Sequence, residues 1–155
     1  MQQTPSSGIV VTSKERKTTE VFCVRTDLIL RGEDTNGAYA SYEIIAQPGR
    51  GAKSHIHSRE DEALYVVEGL FQVCCGDKGY TLGAGDFVSL PKSLPHMFTN
   101  IGQTVGRLLG IATPAGLEGF FEDIDELVKV KQAEVTRQEF TAVCDKYGIE
   151  FLHQS

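Results

Sequence analysis

The middle of the chain is a succession of short β-type runs separated by turn-forming residues. From Val21 to about Ala112, runs rich in β-branched, aromatic and aliphatic residues alternate with Gly, Pro, Asn and Asp. Short strands at close, regular spacing are typical of a sandwich or barrel, whereas βαβ units would need helical segments between them. We therefore predict an all-β domain over residues 21–112. The predicted strands include residues 21–30, 38–46, 63–67, 71–75, 87–90, 96–100 and 107–112.

Alternation along these runs predicts which residues face the interior. Glu68-Gly69 stands between two apolar runs and predicts a two-residue hairpin turn in which Gly69 has positive φ. Because cross-strand partners in a hairpin share a face, the apolar residues flanking this turn would point inward. The same alternation adds one aromatic residue from a later strand. The predicted wall of a substrate pocket is therefore Leu64, Val66, Phe71, Val73 and Phe98.

The two ends of the chain differ from the middle. Residues 1–20 are rich in Ser, Thr and Lys and predict a loose N-terminal arm, with one short strand at residues 9–11. From Leu117 to Val128, apolar residues follow the i, i+3, i+4 and i+7 spacing of an amphipathic helix. A second helix opens with a capping box at Thr136, and Gly148 is its predicted end. We expect residues 113–155 to be a helical extension of the same domain, packed outside the barrel.

Composition limits the partners and the compartment. The 155 residues suit one domain, and a net charge of −6 without clustered Lys or Arg argues against nucleic-acid binding. No apolar stretch is long enough to span a membrane, and the N-terminus lacks the features of a signal peptide. We therefore expect a cytoplasmic protein with no membrane partner. The cysteines form no CxxC pair and predict no disulfide, and Cys23 and Cys144 are expected in the core.

Three of the four histidines belong to one constellation. His55 and His57 are separated by one residue, so on a strand both imidazoles point to the same face. Glu62 follows closely, and His96 lies on a later predicted strand. Imidazole and carboxylate ligands suit a first-row transition metal. Without a metal, each of these buried polar groups would need a hydrogen-bond partner inside an apolar barrel, and we therefore favour a metal site.

The spacing of these residues resembles the two signature motifs of the cupin superfamily. The first block reads Gly49-x5-His55-x-His57-x4-Glu62-x6-Gly69, and the second reads Gly85-x5-Pro91-x4-His96-x3-Asn100. One position departs from the family, which often has Gly where this chain has Ser93. The resemblance implies a double-stranded β-helix of the jelly-roll type, with the ligand cavity inside the barrel. It also implies one divalent transition metal ion (Fe, Mn, Ni, Cu or Zn) held by His55, His57, Glu62 and His96.

Residues 54–62 and 113–121 resemble more closely the single-domain cupins of the quercetin 2,3-dioxygenase-like group. This resemblance implies a metal-dependent dioxygenase that acts on a small aromatic, flavonol-like or enol-type substrate bound in the barrel. Four protein ligands would leave coordination positions for substrate and O2, and Glu62 would act as the general base. Two alternatives remain: a metal-cupin isomerase, decarboxylase or lyase, and a non-catalytic, metal-dependent small-molecule binding module.

The remaining expectations concern assembly and surface charge. Small cupins usually dimerise, so we expect a homodimer formed through residues 1–30 or through the C-terminal helices. Lys53 and Arg59 are expected at the solvated rim of the barrel. Glu60, Asp61 and the acidic face of the first helix are expected to be solvated surface.

Overall fold

Residues 7–152, the part of the chain that the computed structural model describes, form eleven strands in two antiparallel sheets, with helices near the C-terminus. The larger sheet has the order β1-β2-β3-β10-β5-β8, and the smaller has the order β11-β4-β9-β6-β7. The predicted all-β jelly-roll with two C-terminal helices is confirmed. The strands are β1 (Lys17–Val21), β2 (Val24–Leu30), β3 (Ala40–Ala46), β4 (Gly51–His57), β5 (Asp61–Glu68), β6 (Leu70–Cys75), β7 (Lys78–Gly83), β8 (Phe87–Leu90), β9 (His96–Asn100), β10 (Gly106–Thr113) and β11 (Ile149–Phe151). The helices are α1 (Leu117–Lys131), a short 3-10 helix (Gln132–Glu134) and α2 (Arg137–Tyr147).

The core lies between the inner faces of the two sheets. On β5, Leu64 and Val66 are buried, whereas the intervening Tyr65 is exposed. On β6 and β9, Phe71 and Phe98 are buried by the same alternation. Full burial of such a side chain contributes about 1.5–3 kcal/mol, so this face stabilises the fold. The inward residues are those that the alternation predicts.

The connection between β5 and β6 differs from the predicted hairpin. β5 pairs with β8 and β10, whereas β6 pairs with β7 and β9, so Glu68-Gly69 carries the chain from one sheet to the other. Gly69 has the expected positive φ, and a Cβ there would lie 2.8 Å from the Cα of Gly106. A hairpin and a crossover bury the same alternate residues, so the sequence pattern does not distinguish them.

The N-terminal segment contributes more to the sheet than predicted. No strand forms at residues 9–11, but β1 starts at Lys17, inside the predicted loose arm, and pairs with β2. Phe22 and Cys23 join these strands in a two-residue turn, with φ of 53° and 62°. Cys23 is exposed there, so its predicted place in the core is wrong, whereas Cys144 is buried as expected.

The C-terminal helices form where they were predicted. The side chain of Thr136 accepts a hydrogen bond from the Glu139 amide, which completes the capping box, and Gly148 ends α2 in the left-handed conformation. The chain then continues into β11, which pairs with β4, so the extension is not wholly helical. None of the helices among the described residues is long and apolar enough to cross a membrane.

Two acidic residues of α1 are buried, contrary to prediction. Glu118 accepts hydrogen bonds from the backbone amides of Gly32 and Gly116. Asp125 accepts one from the amide of Glu20. Both carboxylates therefore attach α1 to neighbouring backbone instead of lying in solvent.

Candidate metal centre

Three histidines and one glutamate converge inside the barrel. The ligand atoms of His55, His57, Glu62 and His96 all lie within 4.8 Å of one another, and all four residues are buried. β4 supplies the first two, β5 supplies the carboxylate, and β9 supplies the last histidine by pairing with β4. Barrel closure thus brings His96 to residues that are distant in sequence. Such a cluster can hold a metal ion.

Backbone carbonyls orient two of the imidazole rings. Nδ1 of His55 lies 2.6 Å from the carbonyl oxygen of Lys53, and Nδ1 of His96 lies 3.2 Å from that of Leu94. Because a carbonyl only accepts hydrogen bonds, these contacts favour the proton on Nδ1. The lone pair on Nε2 is then free, which is the arrangement of a metal-binding histidine.

The inner atoms of the cluster fit a cation. Nε2 of His96 is buried without a well-formed hydrogen bond, although Oε2 of Glu62 lies 3.2 Å away. Oε2 of Glu62 is also 3.6 Å from Nε2 of His57. Buried polar atoms seldom remain unpaired, and a cation between these nitrogens and the carboxylate would satisfy them.

The protonation states also suit metal ligands. Burial raises the pKa of Glu62, but contact with His96 and the charges of His57 and His96 outweigh burial and hold that pKa at about 2. Burial, followed by the charges of His96 and His57, lowers the pKa of His55 to about 3. At neutral pH Glu62 is therefore a carboxylate and His55 a neutral imidazole, the forms in which these groups bind metals.

Tyr42 contacts the cluster directly. Its fully buried hydroxyl donates a hydrogen bond to Oε1 of Glu62, which leaves Oε2 facing the histidines. Burial, and then the negative charge of Glu62, raise the pKa of Tyr42 well above its ordinary value, so the hydroxyl remains a donor. Alternation along β3 could have placed Tyr42 inside, but nothing in the sequence pairs it with Glu62.

The charged residues beside the histidines are placed differently from one another. Glu60 is buried, so its predicted place on the solvated surface is wrong, and its Oε2 lies 3.5 Å from Nδ1 of His57. Asp61 is exposed as expected. Lys53 and Arg59 are also exposed, and Arg59 donates to the backbone carbonyl of Lys146.

An apolar cavity of about 60 Å³ reaches the cluster. His55, His57 and Glu62 form its polar end, and no Lys or Arg of the described chain lines it. The ring of Phe151 stacks on that of His55, with centroids 5.2 Å apart. The aromatic walls come from Phe22, Phe98, Phe120, Phe121 and Phe151.

The predicted pocket residues divide between this cavity and the closed core. Phe98 lines the cavity. Leu64, Val66, Phe71 and Val73 are 1% exposed or less and pack between the sheets, away from the cavity wall. The observed lining differs from the predicted pocket wall because the β1–β2 turn, α1 and β11 enclose the cavity. The docking of these elements is not visible in the alternation of single strands.

Two features define the class of this protein: the jelly-roll barrel and the buried cluster of three histidines and one glutamate. It is a small β-barrel protein with a candidate metal centre. Residues 42–112 match the Cupin_2 family, described as a cupin domain. These residues form a cupin domain, as the motif spacing predicted.

Two curated proteins are similar in sequence to about half of this chain. Protein SchB of Streptomyces halstedii is 32% identical over 77 residues, which are 48% of this chain and 56% of SchB. Polyketide synthase CurC of Streptomyces cyaneus is 30% identical over 70 residues, 45% of this chain and 46% of CurC. The chain thus spans about half the length of the curated relatives it matches.

Two solved structures share the fold. KdgF from Halomonas sp. aligns with a TM-score of 0.65 and 18% identity, over 73% of this chain and 99% of KdgF. A predicted oxalate decarboxylase from Thermotoga maritima aligns with a TM-score of 0.64 and 23% identity, over 68% of this chain and 99% of that protein. At these identities the similarity demonstrates the fold alone.

Proposed function

We propose that this chain is a metal-dependent cupin enzyme, a dioxygenase that acts on a small aromatic or enol-type substrate. The observation that carries the proposal is the aromatic-walled cavity that ends at His55, His57 and Glu62. It places an apolar binding volume directly against the polar cluster. Sites of this kind, with few convergent polar groups in an apolar pocket, are typical of small-molecule binding.

The metal would be one divalent transition ion, held by His55, His57, Glu62 and His96. Nε2 of His96 is buried without a hydrogen-bond partner, and the Nδ1 contacts of His55 and His96 leave the lone pairs on their Nε2 atoms free. Both observations support this assignment. Fe, Mn, Ni, Cu and Zn all accept this ligand set. When bound, such an ion would lower the pKa of a substrate hydroxyl and, if redox-active, would support chemistry with O2.

Glu62 is the proposed general base. The hydroxyl of Tyr42 donates a hydrogen bond to Oε1 of Glu62, while Oε2 is directed toward the histidines and the end of the cavity. A carboxylate oxygen has spare lone pairs, so Oε2 can accept the proton of a substrate hydroxyl. The apolar walls would exclude water from the reacting groups.

The cavity lining favours an uncharged substrate. A carboxylate entering it would lose its hydration and find no Lys or Arg among the described lining residues, and its one cationic partner would be a divalent ion already balanced in part by Glu62. This speaks against oxalate, the substrate in the name of the Thermotoga maritima protein. A volume of about 60 Å³ holds only a few water molecules, so flavonols would require the aromatic walls to move. Because one relative is named a polyketide synthase, enolisable polyketides belong in the substrate panel.

The test is turnover with one metal at a time, on a panel of small enols, polyketide-like compounds and flavonols, with and without air. We expect O2-dependent product with a redox-active metal and none with zinc, and His96→Ala is the inactive control. Activity with zinc would instead indicate an isomerase, decarboxylase or lyase. Ligand-dependent thermal stabilisation without product in mass spectra would indicate a binding module. The absence of O2-dependent turnover with every metal would overturn the dioxygenase.

A further inference from the structure

Glu60 is a buried carboxylate beside the metal cluster that the proposed mechanism does not use. It lies between β4 and β5 and is only 3% exposed. Its Oε2 is 3.5 Å from Nδ1 of His57, whose side chain is also 3% exposed. Neither atom has a hydrogen-bond partner within the described residues. Two buried polar atoms therefore face each other just beyond hydrogen-bonding distance.

His57 differs in this respect from the other two histidines. Nδ1 of His55 and Nδ1 of His96 each contact a backbone carbonyl, from Lys53 and Leu94 respectively. For His57 the carboxylate of Glu60 takes that place. A carboxylate is a stronger acceptor than a carbonyl, because its hydrogen bonds are charge-assisted.

We propose that Glu60 is a positioning residue for the metal centre. It accepts the Nδ1 proton of His57, turns Nε2 toward the cluster and makes that nitrogen a better ligand. This role rests on the proposed function, because it requires that His57 bind a metal ion. Glu60 touches neither substrate nor metal and acts through the imidazole of His57.

The packing around Glu60 keeps it from solvent. Gly116, immediately before α1, covers the carboxylate, since a Cβ at Gly116 would lie 3.6 Å from Oε1 of Glu60. Burying a carboxylate without a partner is costly unless another charge balances it. Glu60 and Glu62 together match the two positive charges of a divalent cation. Glu60 is therefore better accommodated in the metal-bound protein than in the metal-free protein.

The test compares Glu60→Gln with Asp61→Asn. Both variants exchange a carboxylate for an amide at neighbouring positions, but Asp61 is exposed and accepts from the backbone amide of Lys92. The Kd for Co²⁺ is measured by chelator competition, and the visible absorption spectrum of bound Co²⁺ reports the ligand geometry. We expect Glu60→Gln to weaken Co²⁺ binding by about 10- to 100-fold and to alter the spectrum. Asp61→Asn should match the wild type in both measurements.

A second measurement separates positioning from simple structural support. The Tm of metal-free Glu60→Gln should equal or exceed that of the metal-free wild type, because the unbalanced buried charge is gone. A lower metal-free Tm with unchanged Co²⁺ affinity would overturn the proposal and make Glu60 a structural residue.

If Glu60→Gln fails to fold, Glu60→Asp is the second variant. It keeps the negative charge but moves the carboxylate away from His57, so it should also weaken Co²⁺ binding. A wild-type protein that binds no Co²⁺ would overturn the metal site itself, and this role with it.

Discussion

At the scale of single residues, Glu62 has two oxygens in different environments. Oε1 accepts the hydroxyl of Tyr42, whereas Oε2 faces the inner nitrogens of His57 and His96. One oxygen is thus fixed and the other is available to a metal ion or to a proton. Because Oε2 has two lone pairs, it can bind a metal ion through one and accept a proton through the other, while Tyr42 holds Oε1 in place.

Replacing Glu62 by Gln should separate metal binding from catalysis. The amide keeps the shape but loses the charge and the basicity. We expect Glu62→Gln to retain part of the metal, held by the three histidines, and to lose nearly all turnover. Metal content after dialysis and the rate with an accepted substrate measure the two effects. Glu68→Gln, an exposed position on the same strand, is the control. Wild-type activity in Glu62→Gln would reduce Glu62 to a ligand alone.

Removing the hydroxyl of Tyr42 should weaken the fold. Tyr42→Phe preserves the ring but leaves Oε1 of Glu62 without its donor. Hydrogen bonds to charged groups contribute about 1.5–3 kcal/mol, and we expect a loss in that range in the free energy of unfolding. Urea unfolding of the metal-free protein measures it. Tyr65→Phe, at an exposed position, should change stability by less than about 0.5 kcal/mol. Equal stabilities of the two variants would show that the Tyr42 hydroxyl does not hold Glu62.

Sequence reasoning located some residues of the site and missed others. The spacing of His55 and His57 on a strand, and their distance from Glu62, are local features that the chain displays directly. The contacts of Tyr42 with Glu62 and of Glu60 with His57 depend on how separate strands and loops pack. No local pattern encodes such contacts, so only the folded structure reveals them.

At the scale of elements, the same contrast between local and distant information appears. The ends of α2 were predictable because the capping box at Thr136 and the left-handed Gly148 lie within the helix ends themselves. Alternation showed which side of each strand faces inward. It did not show that β5 and β6 lie in different sheets, or that β11 pairs with β4. Pairing between strands is a long-range property that short periodic patterns do not specify.

The turn between β1 and β2 offers a test at this scale. Cys23 has a φ of 62°, a conformation that costs a non-glycine residue about 1–2 kcal/mol, and its exposed side chain contributes little packing. We expect Cys23→Gly to raise the free energy of unfolding by up to about 1 kcal/mol, measured by urea unfolding. Cys74→Gly, within β6, should lower it instead, because glycine weakens a strand interior. A destabilised Cys23→Gly variant would contradict a left-handed conformation at this turn.

At the scale of the whole molecule, each of the two sheets has two edge strands within the described residues. β1 and β8 border the larger sheet, and β7 and β11 border the smaller one. Exposed strand edges invite pairing with another chain. β1 lies within residues 1–30, and α1 and α2 lie in the C-terminal extension, the two segments proposed for a homodimer interface.

We therefore predict a dimer in solution. Light scattering at micromolar concentration should give twice the 17.0 kDa mass of the chain. The mass should fall toward that of the monomer on dilution if the interface is small. A 17.0 kDa species at all concentrations would reject the dimer.

The metal content of the purified protein tests the central claim most directly. Elemental analysis after dialysis should find about one equivalent of a divalent transition metal per wild-type chain. His96→Ala should lose most of it, because the other three ligands lie on β4 and β5 and the β9 side of the ion would be left open. His153→Ala, which changes the histidine outside the described residues, should retain the full amount. A metal-free wild-type protein, or full occupancy in His96→Ala, would contradict a four-ligand metal centre in this barrel.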